Sequence, residues 1–230
     1  DHRWGTFWSA GAAWLLSQER WFNVAWLDML KVKASIGSQG NDNIGNFLYA
    51  DRYDISNSDG KVGVAFGAKG TKDITWETNT NFNAGFEFEL FKRLSGGIEY
   101  YKRNTTDMLF SFSVAPSAGY TSYYDNVGDL FNDGIELELS YDIIKRRNIN
   151  WNVFGNISTL RNRITMLHED NKTTSYFDLE GNEYFGYTSG SFFIAEGASM
   201  YSWRLKEFAG VDPVTGQSLW YKAVEEMDAN

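Results

Sequence analysis

Between Asn81 and Leu90 the sequence reads NFNAGFEFEL. Phe82, Ala84, Phe86, Phe88 and Leu90 are apolar, and the residues between them, Asn81, Asn83, Gly85, Glu87 and Glu89, are polar or glycine. A two-residue period of this kind describes a strand with one apolar and one wettable face. It leaves open whether the apolar face meets a protein core or lipid.

The same alternation returns along the chain. It is found in TFWSAGAAWLLS (Thr6 to Ser17), LKVKASIG (Leu30 to Gly37), LSGGIEYYKR (Leu94 to Arg103), GIELELSY (Gly134 to Tyr141) and INWNVFGNIS (Ile149 to Ser158), where Phe154 is the one exception. With the opening stretch these predict six strands of about 8 to 12 residues each. Nine Trp, 13 Tyr and 17 Phe beside 22 Gly and two Pro agree with an all-β chain, because aromatic side chains favour pleated surfaces and glycine favours tight turns.

The connections are unequal. The third and fourth strands are joined by Phe91, Lys92 and Arg93, and the fifth and sixth by roughly Asp142 to Asn148. QERWFNVAWLDM, between the first two strands, has room for a helical turn. Long polar runs, Gln39 to Thr78 and Asn104 to Asp133, fill the alternate positions, and the stretch from Thr165 onward does not resume clear alternation. Short turns at one end and long loops at the other are the asymmetry of an outer-membrane barrel. A soluble β-sandwich also alternates, with its apolar face inward. Glu and Lys at mid-strand on the polar faces, and strands approaching the ~10 residues a tilted membrane strand needs, favour the barrel. No apolar run reaches the roughly 18 residues of a membrane-crossing helix.

A formal net charge of −9 argues against nucleic acid as a partner, since such binding draws on clustered Lys and Arg. Without Cys there is no disulfide and no thiolate chemistry. The two histidines, His2 and His168, are far apart, His168-Glu169-Asp170 lacks the second histidine of a zinc helix, and GYTSG (Gly186 to Gly190) carries Thr188 where a nucleophilic serine would stand. Nothing selects two carboxylates for glycoside hydrolysis. The expectation is a protein that is not an enzyme and holds no cofactor. Asp178, Glu180 and Glu183, in DLEGNEY, are the candidates for a calcium ion held by a loop.

Two stretches carry a family resemblance. They are ITWETNTNFNAGFEFELFKRLSGGIEYYKRNTTDMLF (Ile74 to Phe110) and PSAGYTSYYDNVGDLFNDGIELEL (Pro116 to Leu139). Their matching pieces are Trp76-Glu77, Asn83-x-Gly85, Tyr100-Tyr101-Lys102, Asp107-Met108-Leu109, Asn126-Val127-Gly128 and Asn132-x-Gly134-Ile135-Glu136. LKVKASIGSQGN (Leu30 to Asn41) and GVDPVTGQSLWY (Gly210 to Tyr221) are further blocks in the same order. Together they resemble the C-terminal barrel region of SusC/RagA-like TonB-dependent transporters.

The resemblance implies a large barrel in the outer membrane, plugged by an N-terminal domain and capped by a SusD-like lipoprotein. It implies import of oligosaccharides or oligopeptides energised through TonB. No segment here resembles the plug or a TonB-contacting box, and the last barrel strands are missing, so the chain is expected to be an internal fragment. On this reading residues 1–164 hold six transmembrane strands, and residues 165–230 form an extracellular loop region with at most small hairpins. Although Tyr201, Trp203 and Leu205 alternate, family order places them in a loop.

Phe82, Phe86, Phe88, Ile98, Leu137, Trp151 and Val153 are then expected to face lipid. Lys31, Lys33, Glu87, Glu89, Glu99, Glu136 and Glu138 are expected to face a hydrated lumen. Parity across the three-residue turn sets Phe88 opposite Gly96, Phe86 opposite Ile98 and Gly85 opposite Glu99, with an aromatic ring leaning over the cross-strand glycine. The next hairpin is expected to bring Leu139 near Trp151 and Leu137 near Val153. In the loops, Phe47, Tyr49, Tyr53, Tyr120, Tyr123, Tyr124, Tyr176, Tyr184 and Trp203 are the candidates, as a set, for stacking on a sugar ring, packing on a peptide or anchoring the lid; for any one ring the reading that comes first is that it packs the loops or forms the interfacial girdle. A passive porin and a soluble glycan-binding β domain remain the alternatives to an importer.

Overall fold

The computed structural model describes residues 4–221 apart from residues 44, 59, 115, 121, 127 and 179. His2 and Val127 lie outside the described residues. In chain order the strands are β1 (Trp8–Leu15), β2 (Leu27–Asn41), β3 (Arg52–Ser58), β4 (Lys61–Ala68), β5 (Glu77–Leu90), β6 (Leu94–Thr106), β7 (Leu109–Ser113) and β8 (Ser122–Asn126). They continue with β9 (Gly128–Arg146), β10 (Ile149–Ser158), β11 (Arg161–Leu167), β12 (Thr174–Phe177), β13 (Glu183–Ser189), β14 (Phe192–Ala195), β15 (Phe208–Val211) and β16 (Ser218–Trp220). A 3₁₀ turn at Leu16–Gln18 begins the link from β1 to β2.

The six expected strands are β1, β2, β5, β6, β9 and β10, and they pair in that order as one antiparallel sheet. The long runs between them are not structureless, since each contains a two-stranded hairpin, β3–β4 or β7–β8. β2, β5, β6 and β9 run for 15, 14, 13 and 19 residues. Each is longer than the roughly 9 to 11 residues that suffice for a tilted strand to cross a bilayer.

The β5–β6 register is as the turn parity requires: Phe88 pairs with Gly96, Phe86 with Ile98 and Gly85 with Glu99. Phe91 and Lys92 take left-handed φ values of 54° and 55° to close the turn. Asp28 accepts the Lys92 backbone N–H, and Trp26 stacks on Phe91 with centroids 6.1 Å apart. A Cβ built on Gly96 would lie 3.0 Å from Phe88 Cζ and 2.5 Å from the Glu138 carbonyl oxygen. The phenylalanine therefore fills the space that the glycine leaves.

The next hairpin differs from expectation. Leu139 pairs with Gly155 and Leu137 with Ile157, while Val153 faces Tyr141 and Trp151 faces Ile144. The strand does not stop at Tyr141. It continues to Arg146, so the turn is only Arg147 and Asn148. The alternation breaks at the adjacent Ile143 and Ile144 because a bulge sits there, opposite the step from Trp151 to Asn152. The displacement from 151 to 155 is an even number of residues, so every side chain keeps its face.

β10 also runs on. Ser158 pairs with Glu136 and, after a break at residues 159 and 160, Arg161 pairs with Asp133 in the same register. β11 thus carries the strand to Leu167, across the boundary drawn at residue 164. Beyond it are the sheet β12–β13–β14 and the hairpin β15–β16. Trp203 joins no strand and makes an isolated bridge to Phe192.

Burial is confined to the loop end. Leu130, Ile164, Leu167, Phe193, Ile194 and Ala195 are the buried hydrophobic residues described, where β12–β14 packs on β11. The main sheet buries no such side chain on its apolar face: Phe86 is 40% exposed, Ile135 50% and Ile157 64%.

Gly96→Val would force the β-branched side chain into Phe88 and the β9 backbone, and should cost roughly 1 to 3 kcal/mol. Gly97→Ala, whose Cβ would meet its nearest atom at an ordinary 3.5 Å, is the control. Urea unfolding of the full-length protein in detergent should separate the two; equal midpoints would deny Gly96 its packing role.

Candidate functional site

The polar face of the main sheet is built from rows of cross-strand neighbours. One row runs Ala13, Lys33, Gly85, Glu99, Glu136. The row beside it runs Leu15, Lys31, Glu87, Gly97, Glu138. Lys33 Nζ lies 2.7 Å from Glu99 Oε2 and 3.2 Å from Glu87 Oε1, and Lys31 Nζ lies 3.1 Å from Glu87 Oε2. Lys33 reaches a carboxylate two strands away because Gly85, between them, has no side chain. A Cβ there would lie 2.3 Å from the Ile98 carbonyl oxygen.

These pairs are about one-third exposed, so each stabilises the fold little, and their effect is to position charge. Glu89 stands on the same face opposite Ser95, and Glu136 and Glu138 form no ion pair among the described residues. Toward the loops the face becomes amide-rich. Arg103 Nε donates to Asn81 Oδ1 at 2.8 Å and Asn162 Nδ2 to Asn132 Oδ1 at 2.7 Å. Phe154, 80% exposed and opposite Ser140, is an apolar residue on this face, as is Leu15.

At the loop end, aromatic rings bring the two inserted hairpins together. Tyr53 meets Phe66 with centroids 5.4 Å apart, Phe66 meets Tyr120 at 5.8 Å, and Tyr120 meets Tyr123 at 6.2 Å. Lys69 Nζ sits 4.7 Å from the centroid of Tyr123 and 5.9 Å from that of Tyr120. Three of the expected contact residues, Tyr53, Tyr120 and Tyr123, therefore belong to one ribbon, linked by Phe66. Phe66 was missed, although its alternation with Val62 and Val64 in KVGVAFGA was a readable signal.

On β3–β4 the pairs Tyr53–Phe66, Ile55–Val64 and Asn57–Val62 share one face, and Ile55 on it is 77% exposed. Asn126 fixes the hairpin bases. Its side-chain oxygen accepts the Thr75 N–H at 2.8 Å, and its amide donates to the carbonyls of Thr75 and Asp107 at 3.1 and 2.6 Å. Thr71, in the same connection as Thr75, donates its hydroxyl to the Tyr124 carbonyl of the same strand.

The remaining candidates lie elsewhere. Phe47 and Tyr49 pair with each other at 6.3 Å. Tyr176 packs on Phe193 at 5.6 Å and is the cross-strand neighbour of Tyr184, while Trp203 lies 4.5 Å from Phe192. In the acidic loop, Asp178 Oδ1 accepts the backbone N–H groups of Glu180 and Asn182, and Oδ2 accepts the Asn182 amide. The Asn182 side-chain and backbone donors, then that of Glu180, hold its carboxyl below the usual range. Among the described residues no three His, Asp or Glu side chains converge as a metal site.

A strand pattern of this kind has clear relatives. The family described as "TonB dependent receptor-like, beta-barrel" matches residues 1–223. TonB-dependent receptor P26 of Formosa agariphila is 27% identical over 236 aligned positions, covering 100% of this chain and 22% of that protein. TonB-dependent receptor SusC of Bacteroides thetaiotaomicron is 28% identical, over 84% of this chain and 22% of that protein. Among solved structures, that of the RagAB peptide transporter superposes with a TM-score of 0.78 at 28% identity, covering 94% of this chain and 23% of that one. The chain thus spans about a fifth of the length of these relatives.

Asn126→Ala should remove the tie at the hairpin bases and leave the Thr75 N–H unsatisfied, a loss of about 1 to 3 kcal/mol felt locally. Limited proteolysis of the full-length protein should then cut faster within residues 104–126, with the strands unaffected. An unchanged cleavage rate would show that the ring contacts alone hold the loops.

Proposed function

Since the chain belongs to the TonB dependent receptor-like β-barrel family, a family of outer-membrane transporters and receptors rather than enzymes, we propose that it is part of the wall of an outer-membrane nutrient importer. The single observation that carries this reading is the main sheet, with an uncovered apolar face on one side and a charged, amide-rich face on the other. In a soluble domain such a face would be buried against a second layer. In a barrel wall it meets lipid.

On this reading the face bearing Phe82, Phe86, Phe88, Ile98, Leu137, Val153 and Trp151 is turned to lipid. The face bearing Lys31, Lys33, Glu87, Glu89, Glu99, Glu136 and Glu138 lines the hydrated interior. The short turns lie on the periplasmic side, and the hairpins β3–β4 and β7–β8 and the sheet β12–β14 lie outside the cell. The plug and the TonB contact belong to parts of the protein beyond this chain.

The partner is a lid lipoprotein of the SusD kind. The exposed apolar face of β3–β4, with Tyr53, Ile55, Val62 and Val64, suits it, because such a patch rimmed by polar residues serves protein contact better than solvent. Substrate contact falls to the ribbon of Tyr53, Phe66, Tyr120 and Tyr123 with Lys69. Flat rings beside a single cation suit an oligosaccharide by stacking or an oligopeptide by packing and carboxylate pairing. SusC and the RagAB peptide transporter resemble the chain equally at 28% identity, so likeness does not choose the substrate.

Cysteines placed at Phe86 and Glu87 in the whole protein test the faces. Aqueous reagent should modify position 87, and a lipid-soluble quencher should reach position 86; the reverse pattern would refute the orientation. Phe86→Arg should destabilise the protein by roughly 2 to 4 kcal/mol if that site lies near the bilayer midplane. For transport, the protein purified from native outer membranes should bring a lipoprotein with it, and Tyr120→Ala with Tyr123→Ala should lower uptake severalfold. Unchanged uptake in cells lacking TonB would overturn the importer reading.

A further inference from the structure

The apolar face does not stay apolar to its loop end. Its upper rows run Tyr100, Ile135, Thr159, then Lys102, Asp133, Arg161, then Asn104, Phe131, Arg163. Arg161 donates to both oxygens of Asp133, at 2.8 and 2.7 Å, and Tyr100 Oη lies 3.4 Å from that carboxylate. Lys102 and Arg163 make no direct ion pair among the described residues, although Lys102 stands across from Asp133 and its charge is felt by that carboxylate. Asp129, further toward the loops, accepts the Asp107 N–H.

Lys102 Nζ lies 5.4 Å from the Phe131 centroid and Arg161 Cζ 5.5 Å from it, so both cations lean over the same ring, away from the apolar rows. That is the posture of a basic side chain that leaves its stem on an apolar surface and lifts its head toward a polar boundary, held there by the ring. Arg163 stands exposed beside that ring, as its cross-strand neighbour. In a chain of net charge −9, these three cations around Asp133 share the face of the sheet that carries the apolar rows.

We propose that Lys102, Arg161 and Arg163 bind the phosphate of a phosphorylated lipid in the outer leaflet. The proposal rests on the reading that the apolar face is the lipid face. The acyl chains lie on Ile98, Ile135 and Leu137, and the headgroup phosphate reaches the guanidinium and ammonium groups around Phe131. Arginine forks suit phosphate oxygens in pairs, with lysine adding a point charge. Each basic group near a membrane surface strengthens such attraction about fivefold. The lipid is the source because, past the row of Tyr100, Ile135 and Thr159, the same face continues as Ile98, Leu137 and Ile157; a free anion would have no use for them.

The test uses the full-length protein in phosphatidylcholine nanodiscs with and without lipid A, read by native mass spectrometry after release into detergent. Lys102→Gln with Arg163→Gln leaves the Arg161–Asp133 pair intact and should lower lipid A retention by more than an order of magnitude relative to the parent protein, with inorganic phosphate failing to compete. Equal retention by variant and parent overturns the site, and displacement by millimolar phosphate overturns the lipid as its ligand. A lipid-soluble quencher acting on a probe at position 86 is measured in the same discs. Loss of quenching there would fault the orientation of the sheet, whereas normal quenching with unchanged retention faults this proposal alone.

Discussion

The ladder of hydrogen bonds between antiparallel strands is what everything else in this chain depends on. In lipid no water satisfies a backbone N–H or carbonyl, so a membrane-crossing sheet must satisfy each one through a neighbouring strand. The six-strand order β1, β2, β5, β6, β9, β10 does this for every strand with two neighbours. It also explains where a hydrophobic core is found. On the proposed orientation the crossing part of the sheet needs none, because lipid would cover its apolar side. The parts that rise beyond it do need one, and there Leu130, Ile164, Leu167 and Ile194 are buried.

Two glycines show how backbone and side-chain chemistry meet on the two faces. At Gly85 the missing side chain lets Lys33 span from Glu87 to Glu99 and fixes a patch of paired charge on the polar face. At Gly96 the gap is on the apolar face and is filled by Phe88. The charged patch contributes little stability, since its ion pairs are partly solvated. The two arrangements shape surfaces: one wettable and charged, one smooth and apolar.

The loop end has a different logic. Its hairpins are joined by side-chain hydrogen bonds from Asn126 and by a run of aromatic rings, not by the sheet. Relatives about 27% identical keep the strand pattern across nearly the whole chain. A wall of alternating residues tolerates exchange of one apolar side chain for another. Asn126 belongs to one of the blocks that carry the family resemblance, and its three hydrogen bonds give that block a physical reason.

Much was legible from residues alone. Period-two alternation identified the six strands and the face of each side chain, because adjacent side chains of a strand point to opposite sides whatever the partner strand is. A three-residue turn likewise sufficed to align β5 with β6. The alignment of β9 with β10 was not legible, since Ile143 and Ile144 hide a bulge that only the paired strand reveals. Nor was the continuation through β11, whose polar residues pair with β9 without any alternation to announce them. The loop aromatics were recognised as a set, but their sorting into one ribbon and two separate groups depends on contacts between hairpins far apart in sequence. Local periodicity is a property of the chain's own geometry and can be read along it. Register past a bulge, and the meeting of distant loops, are set by which surfaces fit once the sheet exists, and only the tertiary structure decided them.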